Sequence, residues 1–177
     1  VRRQRQMCIR DSVYVTLNVF VFDDELADAV ALGAHAHELG ADALIVADAG
    51  LACALRSAIP GVEIHLSTQA GVHSEGAVRL AVDELGVERV TTARELAVDE
   101  IAALCATGVP IEVFCHGAIC IGYSGACEFS ALRCGRSAMR GDCTQPCRLA
   151  YDLVDEAGES VVSVEGDRLL CCLLYTF

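Results

Sequence analysis

The stretch ALIVADAGLACALRSAIPGVEIHL, residues 43–66, contains a complete strand–helix–strand unit. Residues 43–46 (ALIV) are a short apolar run, and residues 62–66 (VEIHL) alternate apolar and polar; both include β-branched residues, which favour strands. Residues 49–58 follow a helical pattern that ends before Pro60, because proline cannot continue a helix. Strands joined through a helix run parallel, with a right-handed crossover. The unit therefore predicts an α/β fold built on a parallel sheet.

The same alternation continues on both sides of this unit. Further strands are predicted at 13–19, 88–91 and 110–114, and further helices at 23–39, 71–85 and 96–107. The resulting βαβαβαβαβ order fits an open doubly wound sheet or part of a (βα)8 barrel. No G-x-G-x-x-G sequence follows the first strand, which argues against the nucleotide-binding form of the doubly wound fold. A β-hairpin with its turn at 156–159 is predicted over 149–169.

Both ends of the chain depart from these patterns. Residues 1–12 show neither a helical nor a strand period, and they lack the apolar core of a signal peptide. Residues 170–177 are an apolar run without a cap or turn. We predict that both are non-native sequence, a leader and a tail around an internal fragment of a longer protein. Cys8, Cys171 and Cys172 are then poor candidates for ligands.

The charge of the chain is unevenly distributed. Its formal net charge is −12, which excludes a basic surface over the whole protein, and it contains no lysine. Asp142 is the one acid between residues 133 and 148, a stretch that holds four arginines: Arg133, Arg136, Arg140 and Arg148. We expect these arginines to bind an anionic substrate or RNA phosphates, or alternatively to pair with acids of the body. No apolar run approaches the ~18–20 residues that a membrane span needs.

Cysteines are concentrated where the strand–helix alternation ends. Six of the 11 cysteines lie between residues 115 and 147, in a Gly- and Arg-rich loop after the fifth strand. Without an export signal, such a cluster indicates metal chemistry more than disulfides. The spacing C-x6-C-x15-C-x3-C of Cys120, Cys127, Cys143 and Cys147 fits an iron–sulfur cluster best, with zinc or free thiols as alternatives. Cys134 is predicted to be a bystander, and Cys53 and Cys105 are predicted to be small core residues on helices.

Polar residues stand where the predicted strands end, at the edge of a parallel sheet that carries active sites in barrels. They are Asn18, Asp48, Ser67, Thr68, Gln69, Arg94, Glu95 and His116. We predict Asp48 and Glu95 as a carboxylate pair, His116 as an acid or base, and Arg94 as an anion clamp, with Gln69 beside them. Caps and turns are the structural alternative for each of them. His35, His37 and His73 are predicted on helix surfaces, and His65 as a packing residue in a strand.

Several motifs in this order resemble the signature of peptidase family U-32, the collagenase-like proteases. The resemblance covers about 13–168 and rests on EVFCHGAIC (112–120), YSGAC (123–127), GRS (135–137), RGDC (140–143), QPCR (145–148), Tyr151, HLSTQ (65–69) and AREL (93–96). It implies a TIM-barrel-like domain, and this chain is expected to begin after the first strands of that domain. The expected organisation is a partial barrel at 13–116, a cluster loop at 117–148 and the hairpin at 149–169.

The resemblance also implies a cofactor and a reaction. Family members similar to this chain carry out oxygen-independent hydroxylation of tRNA, ribosomal RNA or ubiquinone precursors, and several hold a four-iron four-sulfur cluster. Motif position implicates Cys120, Cys127 and Cys143 as ligands. The fourth ligand is expected beyond Phe177, with Cys147 as the nearby substitute.

The leading hypothesis is therefore a cytoplasmic iron–sulfur enzyme that hydroxylates a base in tRNA or ribosomal RNA with a small-molecule hydroxyl donor. Peptide hydrolysis is the first alternative. No G-x-S-x-G or H-E-x-x-H motif supports it, and the neighbours Cys115 and His116 would diverge on a strand. A cluster-bearing subunit of a hetero-oligomer is the second alternative.

Overall fold

The structure, a computed structural model, describes residues 12–117, 120–124 and 126–162. Its strands are β1 Tyr14–Leu17, β2 Ala43–Val46, β3 Glu63–Leu66, β4 Arg89–Thr91, β5 Ile111–Glu112, β6 Leu153–Val154 and β7 Ser160–Val162. Its α-helices are α1 Leu26–Glu38, α2 Ala49–Ala58, α3 Glu75–Asp83, α4 Val98–Cys105 and α5 Phe129–Cys134. The predicted tail, the predicted leader except Ser12, and residues 163–169 of the predicted hairpin lie outside the described residues.

The main sheet has five parallel strands in the order β1-β2-β3-β4-β5. In a doubly wound sheet the strand order reverses at a switch point, whereas barrel strands follow one another around the sheet. The sequential order is therefore that of a barrel segment, and the predicted α/β class with a parallel sheet is confirmed. All five carboxyl ends lie at one edge of the sheet.

The core lies between the central strands and the helices. Leu44 on β2, Ile64 on β3 and Leu55 on α2 are fully buried. Strand β2 is apolar along its whole length because a central parallel strand is covered on both faces. Gly33 lets α1 approach this core closely, since a Cβ at this position would stand 2.5 Å from Leu55 Cδ2.

The predicted elements match the observed ones, with small differences at their ends. The largest difference is α3, which begins at Glu75 with Ser74 as its N-cap, not at Gly71. The prediction that Cys53 and Cys105 are core residues is wrong, because both are exposed. The helices turn their larger aliphatic side chains inward and leave these positions on the outer face. His65 is buried against Tyr14, as predicted.

Residues 117–148, named here the cysteine segment, contain one element that the sequence pattern misses. The helix α5 has only six residues, too few for a visible period, and ends at Gly135 in the left-handed conformation. Strands β6 and β7 pair antiparallel in the stretch where the hairpin is predicted. Among the described residues, no helix combines the length and the apolar character needed to cross a bilayer.

Candidate functional site

Polar contacts join residues at the carboxyl ends of the parallel strands. Asn18 Nδ2 donates to Ser67 Oγ at 3.4 Å, which links the ends of β1 and β3. Thr68 Oγ1 donates to the carbonyl oxygen of Thr92 at 2.8 Å, which links β3 to β4. Three of the predicted strand-end residues are thus in one network at the edge where a barrel carries its site.

Asp48 and Gln69 have local structural roles in this network. Asp48 is the N-cap of α2: its Oδ1 accepts from the Leu51 N–H at 2.9 Å, and its Oδ2 accepts from the Val21 N–H at 3.3 Å. Gln69 lies in a short 3-10 turn, where its N–H donates to Ser67 Oγ. The pairing of Asp48 with Glu95 stays a prediction, and the hydrogen-bond partners of the two carboxylates differ.

Glu95 holds the cysteine segment against the end of β4. Its carboxylate accepts both the N–H and the Oγ–H of Ser124, each at 2.5 Å. Ser124 Oγ in turn accepts the N–H of Arg94 at 3.1 Å. Ser124 is only 1% exposed and adopts the left-handed conformation at φ 45°, which costs a non-glycine residue free energy. We call this set of contacts the Glu95–Ser124 clamp.

The clamp keeps the Glu95 carboxylate ionised. Burial by itself raises the pKa of Glu95. Hydrogen bonds from the Ser124 hydroxyl and backbone N–H, with the nearby Arg94 charge, lower the pKa by more than burial raises it, so the pKa lies below its usual value. Arg94 also has a buried Nε that makes no hydrogen bond within the described part of the chain. A guanidinium in this position is suited to a bound anion.

His73 belongs to this site, which the sequence analysis did not predict. The prediction of a helix-surface position is wrong, because the residue precedes α3 and its ring stacks on Tyr123 with centroids 4.7 Å apart and planes at 15°. His73 Nδ1 lies 2.5 Å from the carbonyl oxygen of Gly71, and Nε2 lies 3.5 Å from Glu95 Oε2. The missed residues Ser124 and Tyr123 stand in the YSGAC motif, which was the available signal.

The other three candidate thiols lie close enough to Cys147 to influence its titration. Burial raises the pKa of the Cys147 thiol; Arg148 opposes this, and Cys120, Cys143 and Cys127 add to it. In the described ranges, no three His, Cys, Asp or Glu side chains converge tightly enough to hold a single metal ion. In a four-iron cluster each thiolate binds a different iron, so its ligands stand farther apart than those around one ion.

Backbone geometry around the thiols fits a cluster. The Gly122 N–H donates to Cys120 Sγ and the Gln145 N–H donates to Cys143 Sγ, both at 3.3 Å. Such hydrogen bonds stabilise cluster-bound sulfur. A Cβ at Gly122 would lie 2.5 Å from Cys127 Cβ and 3.5 Å from Cys120 Sγ, so glycine allows the two cysteines to approach.

Among the four predicted RNA-binding arginines, Arg136 and Arg140 form ion pairs with acids. Arg136 Nε donates to Asp142 Oδ2 at 2.9 Å, and Arg140 pairs with Glu25 and stacks over the Phe22 ring at 4.4 Å. These pairs raise the pKa of each arginine through hydrogen bonds and lower the pKa of each acid. Arg133 is exposed in the last turn of α5, and Arg148 is half-buried beside Cys147. His116 and Cys115 are exposed after β5.

The sequence model of Peptidase family U32 matches residues 4–170. The chain belongs to this family. The recognition made from the motifs is therefore confirmed.

Relatives within the family carry different names. The chain is 45% identical over 89% of its length to the 23S rRNA 5-hydroxycytidine C2501 synthase of Escherichia coli, of which it covers 23%. It is 38% identical over 88% of its length to tRNA hydroxylation protein P1 of Bacillus subtilis, covering 37% of that protein. It is 30% identical over 89% of its length to a collagenase of Porphyromonas gingivalis, covering 40%. The chain thus spans less than half of each of these relatives.

Proposed function

We propose that this U32 chain is the iron–sulfur part of a cytoplasmic enzyme that hydroxylates a base in tRNA or ribosomal RNA. The observation that carries the proposal is the approach of Cys120 and Cys127 around Gly122, next to the clamped Ser124, in a chain whose relatives include proteins named for rRNA and tRNA hydroxylation. Because the chain spans a minor part of those relatives, both the activity and the substrate are proposals for the whole protein.

Cys120, Cys127 and Cys143 would hold a four-iron four-sulfur cluster, with Cys147 as the fourth ligand in this chain. When bound, the cluster supplies a centre for electron transfer or for polarising a bound oxygen group. The N–H groups of Gly122 and Gln145 stabilise the thiolates on Cys120 and Cys143.

The remaining residues would bind the two substrates. Arg94, whose buried Nε makes no hydrogen bond within the described residues, would bind an anionic group of the small-molecule hydroxyl donor. Arg133 would contact RNA phosphate from its exposed position on α5, together with Arg148. Arg136 and Arg140 would contribute less, because Asp142 and Glu25 already neutralise them.

Anaerobic reconstitution with iron and sulfide tests the cofactor. We expect about four irons and four sulfides per chain and a broad visible absorption band. Cys120→Ser, Cys127→Ser and Cys143→Ser should each lose most of the band, whereas the exposed Cys134→Ser is the matched control that retains it. Loss in Cys147→Ser would assign that thiol as the fourth ligand. A reconstituted wild-type chain that stays free of iron would contradict the cofactor.

Nucleoside analysis tests the reaction. The chain is expressed in a bacterium that lacks its own U32 hydroxylation genes, and the digested tRNA and rRNA are examined by mass spectrometry. We expect one nucleoside heavier by a single oxygen atom in the wild type and none in Cys127→Ser. If the chain contains the cluster but the RNA of these cells carries no added oxygen, hydroxylation by this chain is contradicted, whereas the proposed cofactor is not.

RNA binding has its own matched pair of variants. Arg133→Gln should weaken binding and reduce the dependence of log affinity on log salt by about one phosphate contact. Arg136→Gln, which removes an arginine already paired with Asp142, should change the salt dependence less. Equal effects of the two substitutions would contradict the assignment of Arg133 to the RNA surface.

The collagenase among the relatives supports one alternative, peptide hydrolysis by Cys115 and His116. Both side chains are exposed at the end of β5. Casein or gelatin cleavage that survives chelators and disappears in Cys115→Ala would establish it. Co-purification with a second cysteine-rich protein would instead favour a subunit of a hetero-oligomer.

A further inference from the structure

Tyr123 is an exposed aromatic side chain on an ordered support. Its surface is 61% exposed, although one face of the ring stacks on His73 at 4.7 Å. An exposed tyrosine that packs on nothing is free to change rotamer. Here a second ring lies parallel behind it, so the outer face is presented to solvent in one orientation.

The support is itself held from two sides. His73 is bound at Nδ1 by the Gly71 carbonyl oxygen and faces Glu95 at Nε2. The next residue in the chain, Ser124, is buried and receives the Glu95–Ser124 clamp. Ordering of a binding group before the ligand arrives lowers the entropy cost of binding. Tyr123 is therefore preorganised.

Tyr123 also belongs to the stretch that carries two of the candidate ligands. It stands between Cys120 and Cys127 in the chain, the preceding Gly122 N–H donates to Cys120 Sγ at 3.3 Å, and a Cβ at Gly122 would lie 2.5 Å from Cys127 Cβ. A planar group stacked on Tyr123 would be placed beside the centre at which the reaction is proposed to occur. Arg133, exposed on α5 in the same segment, provides positive charge in an otherwise acidic chain.

We propose that the exposed face of Tyr123 is the platform on which the RNA base to be modified stacks, with His73 as the second layer of the stack. This rests on the proposed function. Enzymes that modify a base must take it out of its stack, and aromatic side chains replace the lost stacking in single-stranded RNA. A nucleobase has the shape and the π-face that a flat, preorganised ring binds.

The test is the affinity of the chain for a short fluorescein-labelled single-stranded RNA, measured by anisotropy. Tyr123→Leu removes the ring and should weaken binding about five- to 150-fold, the range measured for one base stacked on an aromatic residue. Tyr123→Phe keeps the ring and should bind within about twofold of wild type, and Tyr123→Trp should bind at least as tightly. Tyr14→Leu is the control, because Tyr14 begins β1 at the opposite edge of the sheet.

Two further measurements separate stacking from folding and from charge. Replacing one nucleotide by an abasic site should weaken wild-type binding, and Tyr123→Leu should then cause no additional loss. Tyr123→Leu should leave the salt dependence unchanged, unlike Arg133→Gln. If the wild type binds the RNA and Tyr123→Leu binds it equally well, this inference is overturned and the proposed function stands. A wild type that binds no RNA overturns the proposed function and this inference with it.

Discussion

The sheet body, residues 13–116, and the cysteine segment, residues 117–148, are stabilised by different interactions. The body buries large aliphatic side chains such as Leu44, Leu55 and Ile64. Among the described residues of the cysteine segment, the buried ones are Ser124, Ser130 and Pro146. Apolar burial therefore folds the body, whereas the segment is held by a few polar contacts to it and, as proposed, by a cluster.

Among the described residues, the polar contacts between the two regions include two attachments. The Glu95–Ser124 clamp is one, at the end of β4. The other joins residues 139–140 to residues 20–25: the Phe20 N–H donates to the Met139 carbonyl oxygen at 3.0 Å, and Arg140 pairs with Glu25. A segment without an apolar core can be positioned in this way because each attachment uses charge-assisted or backbone hydrogen bonds. Its stability should therefore respond to mutation and pH separately from that of the body.

The largest effect is expected from Leu55→Ala in the body. Leu55 is fully buried on α2, so truncation should lower the free energy of unfolding by about 2–5 kcal/mol. Leu132→Ala removes the same atoms from a side chain of the cysteine segment that is 84% exposed. This substitution should change the free energy of unfolding by less than about 0.5 kcal/mol. Urea titration followed by circular dichroism measures both. Similar losses would show that the segment has a core of its own.

Ser124→Ala should have a smaller and local effect. It removes one hydrogen bond to the Glu95 carboxylate and the acceptor of the Arg94 N–H, which should weaken docking of the segment by about 1–3 kcal/mol. Amide hydrogen exchange should rise across the segment while exchange in β2 and β3 stays unchanged. Ser130→Ala is the control, because its hydroxyl contacts Thr144 within the segment. A uniform rise in exchange through the body would contradict separate stability.

Acidification should weaken docking of the cysteine segment, as Ser124→Ala does. The pKa of Glu95 is lowered below its usual 4.5, so the clamp contributes fully above pH 4.5 and is lost as the pH falls through the lower folded value. Segment exchange, corrected for its intrinsic pH dependence, should therefore increase only below pH 4.5. The pKa of Glu25 is lowered as well, by Arg140, so Glu95→Gln is needed to isolate the clamp: it should remove most of the pH response.

The smallest effect is expected from Arg140→Gln. The Arg140–Glu25 pair lies at the surface, and such pairs contribute little to stability. Segment exchange should rise less than in Ser124→Ala, and added salt should abolish the difference from wild type because salt screens exposed charges. An effect equal to that of Ser124→Ala would show that the second attachment is as strong as the clamp.

Regular elements of the body could be predicted because each carries its own pattern. Helix α2 was placed at its observed bounds, and β2 likewise, since the apolar run, the helical pattern and Pro60 are local signals. The buried position of His65 was also predicted from its strand. The exposure of Cys53 and Cys105 was not, because the outward face of a helix depends on what packs against the other face.

For the site, the sequence predicted which residues are candidates but not which contacts they make. The sequence by itself determined the family, the parallel α/β class, the four candidate thiols and the strand-end polar residues, since spacing and motif order encode them. The tertiary structure alone decided that Asp48 Oδ2 accepts the Val21 N–H, that Glu95 binds Ser124, and that His73 stacks on Tyr123. Each of these contacts joins residues from different elements, and only the folded sheet brings their side chains within hydrogen-bond or stacking distance.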